Sequence, residues 1–189
     1  MKTNKIILAS GSPRRKELFD KYGLDYIVDY VETNEVLDKN LTLSKQLEHI
    51  ALQKALPLKN KYPNHMIIAG DTMVTFQQQM LGKPKNRQDA KRMLKQLSGN
   101  QQLVITAVAI IDKDKEITFS DGTIVEFKEI SDQEIEQYLD TNEWHDKAGA
   151  YAIQGIAKKF VSKIQGDMET VIGLPMRLIM NYLNNGQID

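Results

Sequence analysis

The sequence predicts an α/β fold in which a mixed, largely central β-sheet is flanked by helices. Three observations carry that expectation. Short apolar runs alternate with stretches whose apolar residues recur at helical spacing. A hairpin signal, Asp121-Gly122, interrupts the alternation, so antiparallel pairs accompany parallel strand–helix–strand crossings. No repeat, low-complexity tract or linker rich in Pro, Gly or Ser divides the 189 residues, which suit one domain over 1–189.

Each element follows from its residues. Residues 5–9 read as a buried strand and 13–22 as a helix ending at Gly23, with Ser12 as N-cap and Pro13 in the first helical position. Residues 26–31 look extended. Leu43, Leu47, Ile50 and Ala51 keep helical spacing up to Pro57, which should stop the helix. Residues 66–69 form a second apolar strand that should end in Gly70-Asp71-Thr72. Asn86-x-x-Asp89 opens a helix whose apolar face is Met93, Leu94 and Leu97. Residues 103–112 read as a strand, and 117–130 as two strands around Asp121-Gly122. Ser131-x-x-Glu134 is a capping box for a helix through Leu139. Residues 159–164 look like another strand, and Pro175 begins a last helix ending near Gly186.

Composition excludes several classes of function. The 25 basic and 25 acidic residues cancel, which argues against a broad electrostatic grip on nucleic acid or an anionic membrane. Cysteine is absent, and with it disulfides, thiol nucleophiles and thiolate metal ligands. The apolar run Ile6 to Ala9 is too short for a signal peptide. No run approaches the roughly 20 apolar residues of a spanning helix. A soluble, cytoplasmic protein is the expectation.

Four stretches could carry chemistry. ILASGSPRRKEL (7–18) joins a strand to a helix N-terminus through a small-residue turn. That is an ordinary helix start, and also the geometry that aims backbone N–H groups at an anion. Ser10 and Ser12 add hydroxyls there, and Arg14 or Arg15 a planar donor fork suited to phosphate. In IIAGDTMV (67–74), Asp71 reads either as a turn aspartate or, at the carboxyl edge of a sheet, as a general base or Mg²⁺ ligand. Lys83 in LGKPKN and Lys54 in ALQKALP read as solvated lysines or as phosphate cations, Lys54 lying near its helix's apolar face. In DKAGAYAIQG (146–155), small residues permit a close backbone approach, and Gln154 offers both a donor and an acceptor for a base edge. The sequence contains no P-loop, Rossmann fingerprint or nucleophile elbow.

Taken in order, ILASGSPRRKEL, ALQKA, IIAGDTMV, LGKP, LSG (97–99), ITAVAI (105–110), DKAGAYAIQG and VIGLP (171–175) resemble the Maf family from residue 7 to about 178. The resemblance implies an elongated, two-lobed fold related to the inosine triphosphatase architecture, with a cleft. It also implies a cytoplasmic homodimer that hydrolyses a nucleoside triphosphate to monophosphate and pyrophosphate with a divalent cation, Mg²⁺ or Mn²⁺. Carried over by motif, Asp71 would accept the proton or bind the metal. Ser10, Arg14, Arg15, Lys54 and Lys83 would line the triphosphate channel. An acidic residue after the first helix would be Glu32 or Glu35, with Glu32 preferred as metal ligand. A histidine frequent after Leu-Ser-Gly is replaced here by Gln102.

Arg14, Thr72 and Gln154 resemble the branch acting on dTTP and UTP. A related branch that prefers 7-methyl-GTP has Trp, Gln and Glu there. The chemistry agrees: thymine and uracil present acceptor, donor, acceptor, and an amide meets both kinds, whereas a carboxylate only accepts. No stable complex with nucleic acid is expected. The family's historical link to inhibition of septum formation leaves a second reading, a regulator of division acting through a protein partner.

Overall fold

A computed structural model describes residues 5–33, 38 and 40–188. They form a seven-stranded mixed sheet in the order β2-β1-β3-β5-β6-β7, with β4 pairing β3 off this path. The strands are β1 (Ile6–Leu8), β2 (Tyr26–Val28), β3 (Met66–Phe76), β4 (Gln79–Leu81), β5 (Gln101–Asp112), β6 (Lys115–Phe127) and β7 (Val161–Gln165). The helices are α1 (Pro13–Lys21), α2 (Leu43–Lys59), α3 (Arg87–Leu97), α4 (Asp132–Asp140), α5 (Met168–Ile172) and α6 (Met176–Asn185). β1 runs parallel to both β2 and β3, whereas β4 and β7 are antiparallel to β3 and β6. The expected mixed α/β fold is therefore present.

The chain divides into two compact units: residues 1–71, 106–121 and 173–189 in one, and 72–105 and 122–172 in the other. In the first, Ile7 and Leu8 of β1, Ile67 and Ile68 of β3 and Leu47, Ala51 and Ala55 of α2 are almost wholly buried. The core of the second joins Met93, Leu94 and Leu97 of α3 to Ile135, Tyr138 and Leu139 of α4 and to Val125 and Phe127 of β6. Phe127 meets Tyr151 edge to face, with ring centroids 4.8 Å apart, and Tyr138 meets Phe160 at 5.5 Å.

Three expectations need correction. Pro57 does not stop α2, which continues to Lys59. The proline falls in the last turn, where it forfeits one bond, and the buried Leu58 holds that turn by packing. β3 does not end at Gly70 but runs on through Asp71 to Phe76, because Met73 and Val74 are buried and Val74 pairs with Leu81 of β4. Asp121-Gly122 is not a hairpin turn, and β6 passes straight through it. A Cβ on Gly122 would come 3.3 Å from Leu103 Cδ1, so the glycine serves close approach between strands. The turn lies at Lys113-Asp114, where Lys113 takes φ 55°.

Two capping expectations hold in detail. Asn86 Oδ1 accepts from Asp89 N at 2.9 Å, and Ser131 with Glu134 forms the reciprocal box at the start of α4. Ser12 stands at the N-cap of α1 with extended backbone, but its hydroxyl makes no capping bond.

Candidate active site

The sequence-predicted residues fall into two groups, one in each unit. Ser10, Arg14, Arg15, Glu32, Lys54 and Asp71 belong to the first, and Thr72, Lys83 and Gln154 to the second.

Parallel pairing builds the first group. Leu8 lies beside Ile68, and Ala9 N donates to Ile68 O at 2.8 Å, so the chain leaving β1 runs alongside Ala69, Gly70 and Asp71. Asp71 thus stands in mid-strand, yet beyond the carboxyl ends of the short parallel strands β1 and β2. That edge is where open α/β sheets bind ligands. Gly70 keeps the approach close: a Cβ there would lie 2.9 Å from Leu174 Cδ2, 3.3 Å from Ala107 O and 3.5 Å from Arg15 Nε.

Lys54 comes from α2, and its Nζ donates to Asp71 Oδ1 at 2.5 Å. The side chains are 19% and 18% exposed, so the charges are largely withdrawn from water and balance each other. Of the two sequence readings of Lys54, the inward one holds. Arg15 is fixed twice: Nε donates to Gly173 O at 2.9 Å and Nη1 to Ser10 Oγ at 3.1 Å. Ser10 Oγ also accepts from Ser12 N at 3.3 Å, so Ser10, and not Ser12, orders the turn. Burial lowers the pKa of Arg14 from its ordinary value, with Glu17 acting the other way. A cation held partly out of water gains most from an anion at its side.

The acid after α1 is less integrated. Glu32 is exposed on the irregular segment following β2, and Glu35 lies outside the described residues. Among the described residues, no three His, Asp or Glu side chains gather into a metal cage. That fits Mg²⁺ all the same, since it is commonly held by one or two carboxylates with substrate phosphates and water. Asp71 supplies such a carboxylate.

In the second group, Gly149 N donates to Gly82 O at 3.1 Å, which brings the Lys83 turn against the 146–155 segment. Lys83 lies 3.9 Å from Asp146, and both side chains are largely exposed, a pair worth ~0–1 kcal/mol. Thr72 is half-buried on β3. Gln154 is exposed at the tip of a four-residue turn that Gly155 N closes onto Ala152 O at 3.1 Å.

Two residues beside this turn were not singled out as working parts by the sequence. Gln102 is buried on β5, and its Nε2 donates to Tyr151 Oη at 3.4 Å, while burial pushes the Tyr151 hydroxyl up to about 12. Glu143 follows α4, and its carboxylate accepts from Ile156 N at 3.0 Å and Ala157 N at 3.3 Å. For Glu143 the sole sequence signal was an acid placed shortly before a segment of small residues.

The chain is similar to several curated proteins. The dTTP/UTP pyrophosphatase of Bacillus anthracis is 43% identical over 185 residues, covering 98% of this chain and 97% of the relative. The protein of the same name from Bacillus thuringiensis subsp. konkukian shows the same identity and coverage. That of Bacillus cereus strain ATCC 10987 is again 43% identical, with 91% of the relative covered. The family profile described as "Maf-like protein" matches residues 5–186, from the edge of β1 to the end of α6. The chain belongs to the Maf-like protein family.

Proposed function

We propose that this protein is a nucleoside triphosphate pyrophosphatase that acts on dTTP and UTP, releasing the monophosphate and pyrophosphate. The observation that carries the reading is the Lys54–Asp71 pair standing beside the Ser10–Arg15 turn, a carboxylate next to a helix start that carries two arginines. The relatives' shared name supplies the substrates.

In the proposed mechanism Asp71 accepts a proton from the water that attacks the α-phosphorus. The bond from that phosphorus to the bridging oxygen breaks, and pyrophosphate leaves with the bonding pair. Lys54 orients the carboxylate and balances its charge. Arg14 and Arg15 meet the charge growing on the leaving phosphates, and an already anchored Arg15 loses little freedom on doing so. Lys83 adds a further cation. Asp71, with Glu32 as second acid, would hold Mg²⁺ or Mn²⁺, which when bound neutralises phosphate charge and acidifies water. Gln154 would read the imide edge of the base. The same reading has the protein working in the cytoplasm as a homodimer, on the family resemblance.

The test is a ³¹P NMR product analysis over dTTP, UTP, dCTP, ATP and GTP with each cation. Monophosphate and pyrophosphate in equal amounts, fastest from dTTP and UTP, are expected. Orthophosphate and a diphosphate instead would overturn it.

A further inference from the structure

We propose that Glu143 is a positioning residue for base selection, setting the direction of Gln154 through the backbone that follows it. The proposal rests on the reading of Gln154 as the residue that meets the base.

The turn that carries Gln154 is held from both sides. Its closing bond, Gly155 N to Ala152 O, fixes the four residues 152–155 relative to one another. On the near side, Ile153 is buried in the core of its unit. Beyond the turn, residues 156–160 form a single short 3₁₀ segment whose first N–H groups have no partner within it. The Glu143 carboxylate takes those of Ile156 and Ala157, one on each oxygen. A carboxylate bond to a backbone N–H is of the stronger, charge-assisted kind. Glu143 is itself placed by its own N–H, which donates to Thr141 Oγ1 at 3.3 Å at the end of α4.

The fit at Gly155 shows how tightly the carboxylate is pressed against the turn. A Cβ built there would lie 1.8 Å from Glu143 Oε1 and 2.3 Å from its carboxyl carbon. φ at Gly155 is −98°, so it is not a left-handed conformation that demands glycine. A side chain there would have to displace the acid from the two N–H groups it holds. Glu143 and Gly155 thus form a matched pair, the residue after Gln154 being reduced to backbone so that an acid can clamp it. Glu143 itself contacts no base or phosphate in this account, and its effect is on where the amide of Gln154 points.

Two arms test the proposal. In the first, kcat and KM for dTTP and dCTP are measured for wild type, Gln154→Ala, Glu143→Gln, Glu143→Asp and the double variant Glu143→Gln/Gln154→Ala. Glu143→Gln should reduce the preference for dTTP over dCTP by about tenfold or more. The loss should lie mainly in KM for dTTP, because the phosphate and Asp71 groups are untouched. In the double variant the preference should fall no further than in Gln154→Ala alone. Glu143→Asp, which keeps the charge on a shorter stem, should retain part of the preference.

In the second arm, amide hydrogen exchange is followed by NMR in wild type and Glu143→Gln without nucleotide. Exchange at Ile156 and Ala157 should quicken, with the melting temperature and the exchange of α3 and α4 amides unchanged. A selectivity loss in Gln154→Ala with full selectivity in Glu143→Gln would overturn the positioning role and leave the reading of Gln154 standing. Unchanged selectivity in Gln154→Ala would overturn both. A general fall in kcat for dTTP and dCTP alike, with faster exchange throughout the unit, would make Glu143 a structural acid and also overturn the proposal.

Discussion

Lys54 Nζ stands 2.5 Å from Asp71 Oδ1, and each side chain has less than a fifth of its surface exposed. Removing one member of a pair so placed strands a partly buried charge. Asp71→Asn should lower kcat for dTTP by about 10²–10⁴-fold, the usual contribution of a general base. Lys54→Met should lower it less, and the double variant should resemble Asp71→Asn alone, since the lysine acts through the carboxylate. Pyrophosphate release from the three variants decides this. Near-normal turnover by Asp71→Asn would remove Asp71 from the chemistry.

Arg15 and Lys83 should separate in stability although both are assigned to phosphate. Replacing either by Ala should reduce kcat/KM for every accepted base by a similar factor. Only Arg15→Ala should also lower the melting temperature, because its guanidinium tethers Gly173 and Ser10, whereas Lys83 makes a long, exposed pair. Hydrogen bonds from a charged group are worth ~1.5–3 kcal/mol, enough to read by calorimetry. A change in base preference from either variant would place it elsewhere.

Gln154→Glu should lower kcat/KM for dTTP and UTP more than for GTP. The carboxylate keeps the shape and the acceptors but loses the N–H donors that would meet the imide carbonyls. A mispaired polar group costs ~1–3 kcal/mol, so a relative change of about tenfold is expected. An unaltered ranking across dTTP, UTP, dCTP and GTP would show that Gln154 does not read the base.

The capping box of α4 predicts a pH window for stability. The Ser131 backbone N–H, then the Lys128 ammonium and the Ser131 hydroxyl, hold the Glu134 carboxyl down at about 2. A folded value below the unfolded one, roughly 4.3, stabilises the fold fully above that unfolded value. The contribution fades as pH falls from there toward 2. Glu134→Ala should therefore melt below wild type at neutral pH, with the gap narrowing below about pH 4. A gap that stays constant down to pH 2 would mean that the charge contributes nothing.

Much of this fold could be read from local pattern. β1, α1, α3 and α4 announce themselves through apolar spacing and through Pro13, Asn86 and Ser131 at their starts. What escaped was decided by partners distant in sequence. Gly70-Asp71-Thr72 and Asp121-Gly122 have turn composition, but both lie within strands held by pairing and burial on each side. The turn at Gln77-Gln78 was invisible for the converse reason: both residues take positive φ, 49° and 64°, with no Gly or Asn to mark it. In the candidate site, Ser10, Arg15, Lys54 and Asp71 were legible because short motifs contain them. Glu143 was not, because its partners are backbone N–H groups, which have no residue code.

The Arg15 to Gly173 hydrogen bond spans 158 residues of chain. Its two ends are therefore made far apart in synthesis. The strand and helix on either side of the Ser10–Ser12 turn leave the ribosome first, but the carbonyl that holds Arg15 exists only after Gly173 has been added. At ~5–20 residues per second the wait is roughly 8–30 seconds. Closing so long a loop also costs several times RT in chain entropy. A nascent chain cut short before Gly173 would carry Ser10, Lys54 and Asp71 yet lack the carbonyl that holds the arginine in place. Competence for the reaction would then arrive only once Gly173 has been added.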